Sequence, residues 1–388
     1  MIKEKLITYQ KKTRCTFLGV GPMSLNCIDV AIDMANRYEI PIFLIASRRQ
    51  IDDELFGGGY VNNWNTEEFS SYVTERDKKG KIYLARDHGG PWQNPKEIKL
   101  NLGLKQAMDS AKKSYLADIN SGFQIIHIDP SIDIHSKPKL DEVLDRVFEL
   151  YEYCWSKAKD LNQNITFEIG TEEQSGSTNS QEELEFTLNS VKNFCKRNKI
   201  PEPAFVVIQS GTKVLETSNV GSFDLPLRVA NEIPAEIQLP KMIEICNKFN
   251  VMMKAHNTDY LSESSLSWHP RLGIHSANVA PEFGVAETKA LINVLQENQL
   301  NKLLDEFIEL SYQSRKWEKW MKPNSNANQI DKAIISGHYV FSKKEFILIK
   351  EKAVRDLQKK DIDLDSFLKS AIEKSIYKYL SNFRLIKK

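Results

Sequence analysis

The residues able to do chemistry in this 388-residue chain stand directly behind short apolar runs. Asp87 and His88 follow KIYLAR (81–86), in the segment RDHGGP. Asp129 follows FQIIHI (123–128), and Glu172 follows ITFEIG (165–170). Gln209 ends AFVVIQ (204–209), with Lys213 close behind. His256 ends VMMKAH (251–256) and leads into Asn257 and Asp259; His275 lies in RLGIHS (271–276), just before Asn278. Imidazoles and carboxylates bind divalent metals such as zinc, and a carboxylate beside a histidine can also accept a proton. The glycines of DHGGP let backbone approach a ligand. His88 and His256 are therefore read as metal ligands rather than loop caps. Glu172 is preferred to its neighbour Glu173, since only one of the two can point inward. Gln209 is either a weak ligand or a hydrogen-bond donor to substrate.

Other polar residues are weaker signals. Arg48 and Arg49 follow IFLIAS (42–47) and could hold a phosphate or carboxylate, or simply be solvated. Strand alternation turns His127 and Asp129 the same way, as a structural or a catalytic pair. His135, His269 and His338 are read as non-ligands. The glycines of ELFGGGY (54–60) suggest a mobile lid.

These residues require elements that bring them together. Eight short runs, 15–20, 42–47, 81–86, 123–128, 165–170, 204–209, 251–256 and 271–276, are apolar nearly throughout, as parallel strands covered on both faces are. Amphipathic stretches follow most of them: 24–37, 66–79, 97–118, 138–162, 180–198, 236–249 and 284–312, with a shorter one at 262–268. Eight β-then-α units predict a (β/α)8 TIM barrel over 1–312, with chemistry at the C-terminal strand ends. The rival is an open doubly wound sheet, but its fingerprint is reduced here to Gly19-x-Gly21, without a third glycine. From 313 the pattern changes to a Trp-rich segment, an Asn-rich loop and amphipathic stretches. Residues 313–388 are predicted to be a helical appendage that covers the barrel or forms a subunit contact.

Composition narrows the class. Lys plus Arg number 53 and Asp plus Glu 52, which leaves no long-range field for nucleic acid or an anionic membrane. No apolar run reaches the roughly 20 residues of a membrane span. The N-terminus lacks the apolar core of a secretory signal. Five scattered cysteines without CxxC spacing predict reduced thiols and a cytoplasmic setting.

RDHGGPWQ (86–93), EIGTEE (168–173), VVIQSGTKV (206–214), KAHNTDYL (254–261), NVAPEFGVAETKAL (278–291) and GHYVFSKKEF (337–346) occur in one order. In these motifs the chain resembles the GatZ/KbaZ family, the Z subunits of class II tagatose-bisphosphate aldolase and related sugar epimerases. The resemblance implies a TIM barrel in which a divalent cation, zinc or else manganese, polarises a ketose or sugar-phosphate carbonyl and stabilises an enediolate. Carried across, His88, His256, Glu172 and Gln209 would hold the metal. Asp87 and Glu172 would move protons. By their positions behind the strands, and apart from the resemblance, Arg48, Arg49, Asp129, Lys213, Asn257, Asp259, His275 and Asn278 are expected to contact substrate. Aldehyde release would make the enzyme an aldolase, and rotation with re-bonding an epimerase. A non-catalytic subunit supporting a separate aldolase is the further alternative, and a homo-oligomer or such a partner is expected. Glu282, at the start of the last barrel helix, is a departure unfavourable to bound phosphate there.

Overall fold

In the computed structural model, which describes residues 2–171, 180–223 and 234–387, eight parallel strands close into a barrel. They are β1 (Phe17–Val20), β2 (Ile42–Ser47), β3 (Ile82–Gly89), β4 (Ile125–Ile128), β5 (Thr166–Ile169), β6 (Phe205–Ile208), β7 (Met252–Ala255) and β8 (Ser276–Val279). Each pairs with its sequence neighbours, and β8 returns to β1 with Phe17 opposite Ser276 and Val20 opposite Val279. The (β/α)8 expectation is met. A two-stranded hairpin, Val214–Leu215 with Ser218–Asn219, is the one addition to the sheet structure among the described residues.

The barrel interior is layered. Phe17, Phe43 and Phe205 fill its lower part, with ring centroids 5.3 and 5.8 Å apart. Above them the filling turns charged. Lys254 Nζ sits 5.6 Å over the Phe43 ring and 5.3 Å over that of Phe205, and is paired with Glu168. Imidazoles and carboxylates stand at the upper, C-terminal rim.

Two expectations about elements are corrected. RLGIHS is not a strand: helix Glu263–Leu272 ends at Gly273, whose φ of 87° closes it in a left-handed cap. The strand therefore begins at Ser276, and His275 lies at its N-terminal end, where Nδ1 accepts from the Met253 amide. The stretch 284–312 is two helices, Pro281–Glu297 and Asn301–Gln313, parted at Gln299 with φ 62°. A first helix, Ile2–Thr13, adds Ile2 and Leu6 to the core.

The tail comprises helices Gln329–Ser336, Lys344–Gln358 and Leu364–Asn382. The last packs against helices Leu25–Tyr38 and Pro281–Glu297, sends Tyr379 and Phe383 into the barrel core, and offers the Phe383 carbonyl to the Thr16 amide. A second apolar core joins helices 281–297 and 301–313 to 344–358 and 364–382, so burial runs continuously across 312/313. The five cysteines are buried and unpaired. No helix among the described residues is long and apolar enough to cross a membrane.

Candidate active site at the C-terminal mouth

Neighbouring strand residues normally face opposite ways, yet Asp87 and His88 both reach the mouth. The cause is a register break between β3 and β4, between Arg86 and Gly89, with His88 at φ 46°. Such a bulge re-aims side chains where function demands it. Only glycine suits the next positions: a Cβ on Gly89 would lie 2.7 Å from the His127 carbonyl, and one on Gly90 2.3 Å from that of Asp129.

Four side chains from four strands or strand ends converge beside this bulge. Asp87, His127, Glu168 and His256 each offer one atom, all within 4.8 Å of one another. His256 Nε2 lies 3.3 Å from Glu168 Oε1 and 3.8 Å from Asp87 Oδ1; His127 Nδ1 lies 3.6 and 3.8 Å from the same two oxygens. Hydrogen bonds tie these groups together. The His88 amide donates to His127 Nδ1 at 3.1 Å, so that nitrogen presents a lone pair. Asn278 Nδ2 donates to Asp87 Oδ1 and lies 3.1 Å from His256 Nε2, which is also 3.3 Å from Glu168 Oε1. His256 Nδ1 lies 3.3 Å from His88 Nε2, and His88 Nδ1 donates to Asp129 Oδ2 at 2.7 Å. Two carboxylates and two imidazoles thus converge on one centre, with His127 Nδ1 engaged by the His88 amide.

This donor set fits a divalent cation. Ligand atoms around a tetrahedral zinc with bonds of about 2.0–2.1 Å stand about 3.4 Å apart, close to the separations here. Imidazole with carboxylate also suits zinc or manganese by chemistry. Charge argues the same way: the carboxylates of Asp87, Asp129 and Glu168 crowd one end of the barrel, and Lys254 is paired with Glu168. Burial alone would lower the His88 imidazole, but Asp87 and the Asp129 hydrogen bond outweigh it and hold it up at about 9. Burial opposes ionisation of Glu168, yet Lys254, then His127 and His256, bring it down to about 2. Asp87 is held far below the usual carboxylate range against the same burial, chiefly by His88.

Of these residues only Asp87 and His88 line the mouth cavity, a space of about 270 Å³. Its walls include Arg49, Tyr60, Gln93 and Asn257 from the barrel loops, and Lys319, Trp320 and Tyr339 from the tail.

The structure brings together Asp87, His88, Asp129, His256 and Asn278, and sets Arg49 and Asn257 on the cavity wall. Gln209 is buried directly after β6. The remaining candidates stand elsewhere. Arg48 is fully buried and bound to Asp52 at 3.0 Å and Glu97 at 2.7 Å, with Nη1 donating to the Gly90 carbonyl, so it supports the glycine turn from behind. Asp259 caps the helix Pro281–Glu297, accepting from the Ala280 and Glu282 amides; burial, and then the Glu282 charge, push it up to about 7. Lys213 is exposed beside the hairpin. His275 is at the opposite end of the barrel. Glu172 lies outside the described residues.

Sequence reasoning passed over Glu168 and Lys254, and left His127 undecided. Their signal was present: one acid in ITFEIG and one base in VMMKAH are the charges that interrupt otherwise apolar strands. Opposite charges inside two strands of one barrel satisfy each other across its interior.

The family model described as D-tagatose-1,6-bisphosphate aldolase subunit GatZ/KbaZ-like matches residues 4–362. No curated protein matches the chain in sequence. Among solved structures, the crystal structure of a probable tagatose 6 phosphate kinase from Sinorhizobium meliloti 1021 superposes with a TM-score of 0.76 at 15% identity, over 95% of this chain and all of the other. Fructuronate-tagaturonate epimerase UxaE from Cohnella laeviribosi gives 0.56 at 10% identity, over 97% of this chain and 86% of the other. A putative fructose-1,6-biphosphate aldolase from Coccidioides immitis gives 0.51 at 14%, over 97% and 94%. At these identities the likeness is one of fold.

Proposed function

Because the chain belongs to the D-tagatose-1,6-bisphosphate aldolase subunit GatZ/KbaZ-like family, we propose that its barrel mouth is a divalent-metal site catalysing aldol-type C–C cleavage of a ketose or sugar phosphate. The observation that supports this most is the convergence of two carboxylates and two imidazoles, on Asp87, His127, Glu168 and His256, beside a cavity that Asp87 and His88 line. A cation held by residues of this set, with one coordination position left open to the cavity, would act as a Lewis acid on the substrate carbonyl. Asp87 Oδ1 faces the centre, and His88 Nε2 lies 4.0 Å from Asp87 Oδ2 with Asp129 bound to its other nitrogen. A bound cation would neutralise Asp87 and oppose the raised pKa of His88, whose freed Nε2 would then be placed to take the substrate hydroxyl proton and return it to the enediolate carbon. Relative to the expectation from sequence, Asp87 and His88 exchange roles. Asn278 and Asp129 hold the carboxylate and the imidazole in register for that transfer.

The tail residues over the mouth favour a second reading on the same machinery. If Lys319, Trp320 and Tyr339 retain the aldehyde fragment, rotation and re-bonding give an epimer rather than two products. The test begins with elemental analysis of the protein after zinc or manganese incubation, beside His127→Ala. Stoichiometric metal in the wild type, lost in the variant, is expected. Ketose phosphates are then screened for aldehyde release and for epimer formation, which separates the two readings. A wild-type chain that takes up neither metal removes the proposed chemistry and leaves the non-catalytic subunit.

A further inference from the structure

Two basic side chains line the mouth cavity together with Asp87 and His88. Arg49, from the loop after β2, and Lys319, from the tail, both line it. Neither forms an ion pair among the described residues, whereas the adjacent Arg48 is matched by two buried carboxylates. The Lys319 ammonium is held over the Trp320 ring at 4.4 Å and the Tyr339 ring at 5.4 Å, so its position is fixed by the tail. Desolvation, and then repulsion from Arg49, bring it down to about 7. Two like charges directed at one cavity destabilise each other unless an anion enters between them.

The opposite wall is built to refuse an anion. The N-terminus of helix Pro281–Glu297, a ready anion site in a barrel of this kind, already has the Asp259 carboxylate on its Ala280 and Glu282 amides. Glu282 stands beside it, bound to the Tyr260 amide, the Tyr379 hydroxyl and Lys378. A substrate phosphate there would meet two acids.

Resting on the reading of the mouth as a sugar site, the geometry points to a substrate with one anionic terminus, a phosphate monoester or a carboxylate, cradled by Arg49 and Lys319 while its reacting end meets Asp87 and His88. The tail is thereby part of the binding site, and specificity for charge is set by a residue outside the barrel strands and loops.

Calorimetry on the full chain tests this, zinc-loaded and metal-stripped, with inorganic phosphate, fructose 6-phosphate, glucuronate and fructose as probes. At least one anionic probe is expected to bind more tightly than fructose. Lys319→Met and Arg49→Met should each weaken it about tenfold, the loss of one charge-assisted hydrogen bond, and leave fructose unaffected. Preference for fructose 6-phosphate or for glucuronate identifies the anion as phosphate or carboxylate, and either result supports the cradle. Equal binding of charged and neutral probes, no binding of any anionic probe, or anion binding undiminished in both variants overturns it. Anion binding to the metal-stripped chain, lost in Lys319→Met, upholds the cradle even if zinc is never taken up, which removes only the proposed reaction.

Discussion

Glu168 carries two loads that substitution can separate. It is paired with Lys254 inside the barrel, with side-chain exposures of 0% and 1%, and it offers Oε1 to the cation centre. Glu168→Gln removes the charge and keeps the shape. Holding the carboxyl at about 2 rather than the usual 4.5 corresponds to about 3 kcal/mol of stability at neutral pH, full above the unfolded pKa and lost as pH falls towards 2. Leaving Lys254 buried without its partner gives a similar figure, about 3–5 kcal/mol. Lys254→Met should cost about the same for the mirror reason. The double variant, whose buried groups are both neutral, should recover most of the loss. Metal follows a different order: retained by Lys254→Met, lost by Glu168→Gln and by the double variant. Urea unfolding of metal-stripped protein reads the first quantity, and zinc titration against a chelator the second. Two results would refute the reasoning: a double variant no more stable than Glu168→Gln, or unchanged zinc affinity in Glu168→Gln.

Arg48→Met strands Asp52 and Glu97 in the interior and should destabilise the chain by about 3–5 kcal/mol in urea, with anion binding at the mouth unchanged in whatever remains folded. Gly90→Ala places a methyl against the Asp129 carbonyl at φ 151°, so zinc affinity should fall together with stability; a variant matching wild type in both would show that the turn is not needed. His269 is buried between the Phe223 and Phe383 rings, with its pKa lowered to about 4 by burial. Its folded value lies below the unfolded one, so its contribution is complete above about 6.5 and is lost by about 1.4 kcal/mol per unit as pH falls towards 4. His269→Phe should therefore show a shallower loss of urea midpoint between pH 6.5 and 4.5 than wild type, and parallel curves would contradict the assignment.

The sequence by itself determined the barrel and the rim on which its chemistry sits. Apolar runs buried on both faces admit few folds, and alternation with helical stretches selects the closed parallel sheet. It also determined that Asp87, His88 and His256 belong together, since residues directly behind such runs meet at one end. Tertiary structure decided the rest. Whether Asp87 and His88 face the same way depends on a register break between β3 and β4, which is a property of two strands and invisible in either. How an arginine is held depends on distant acids: Arg48 meets Glu97, while Arg49, one residue on, lines the mouth cavity and has no ion pair among the described residues. The placement of His275 turned on Gly273, which ended a helix where the apolar pattern suggested a strand. The contribution of Lys319 to the mouth was settled last, because only the packing of the tail helices on the barrel brings a residue so late in the chain over strands formed so early.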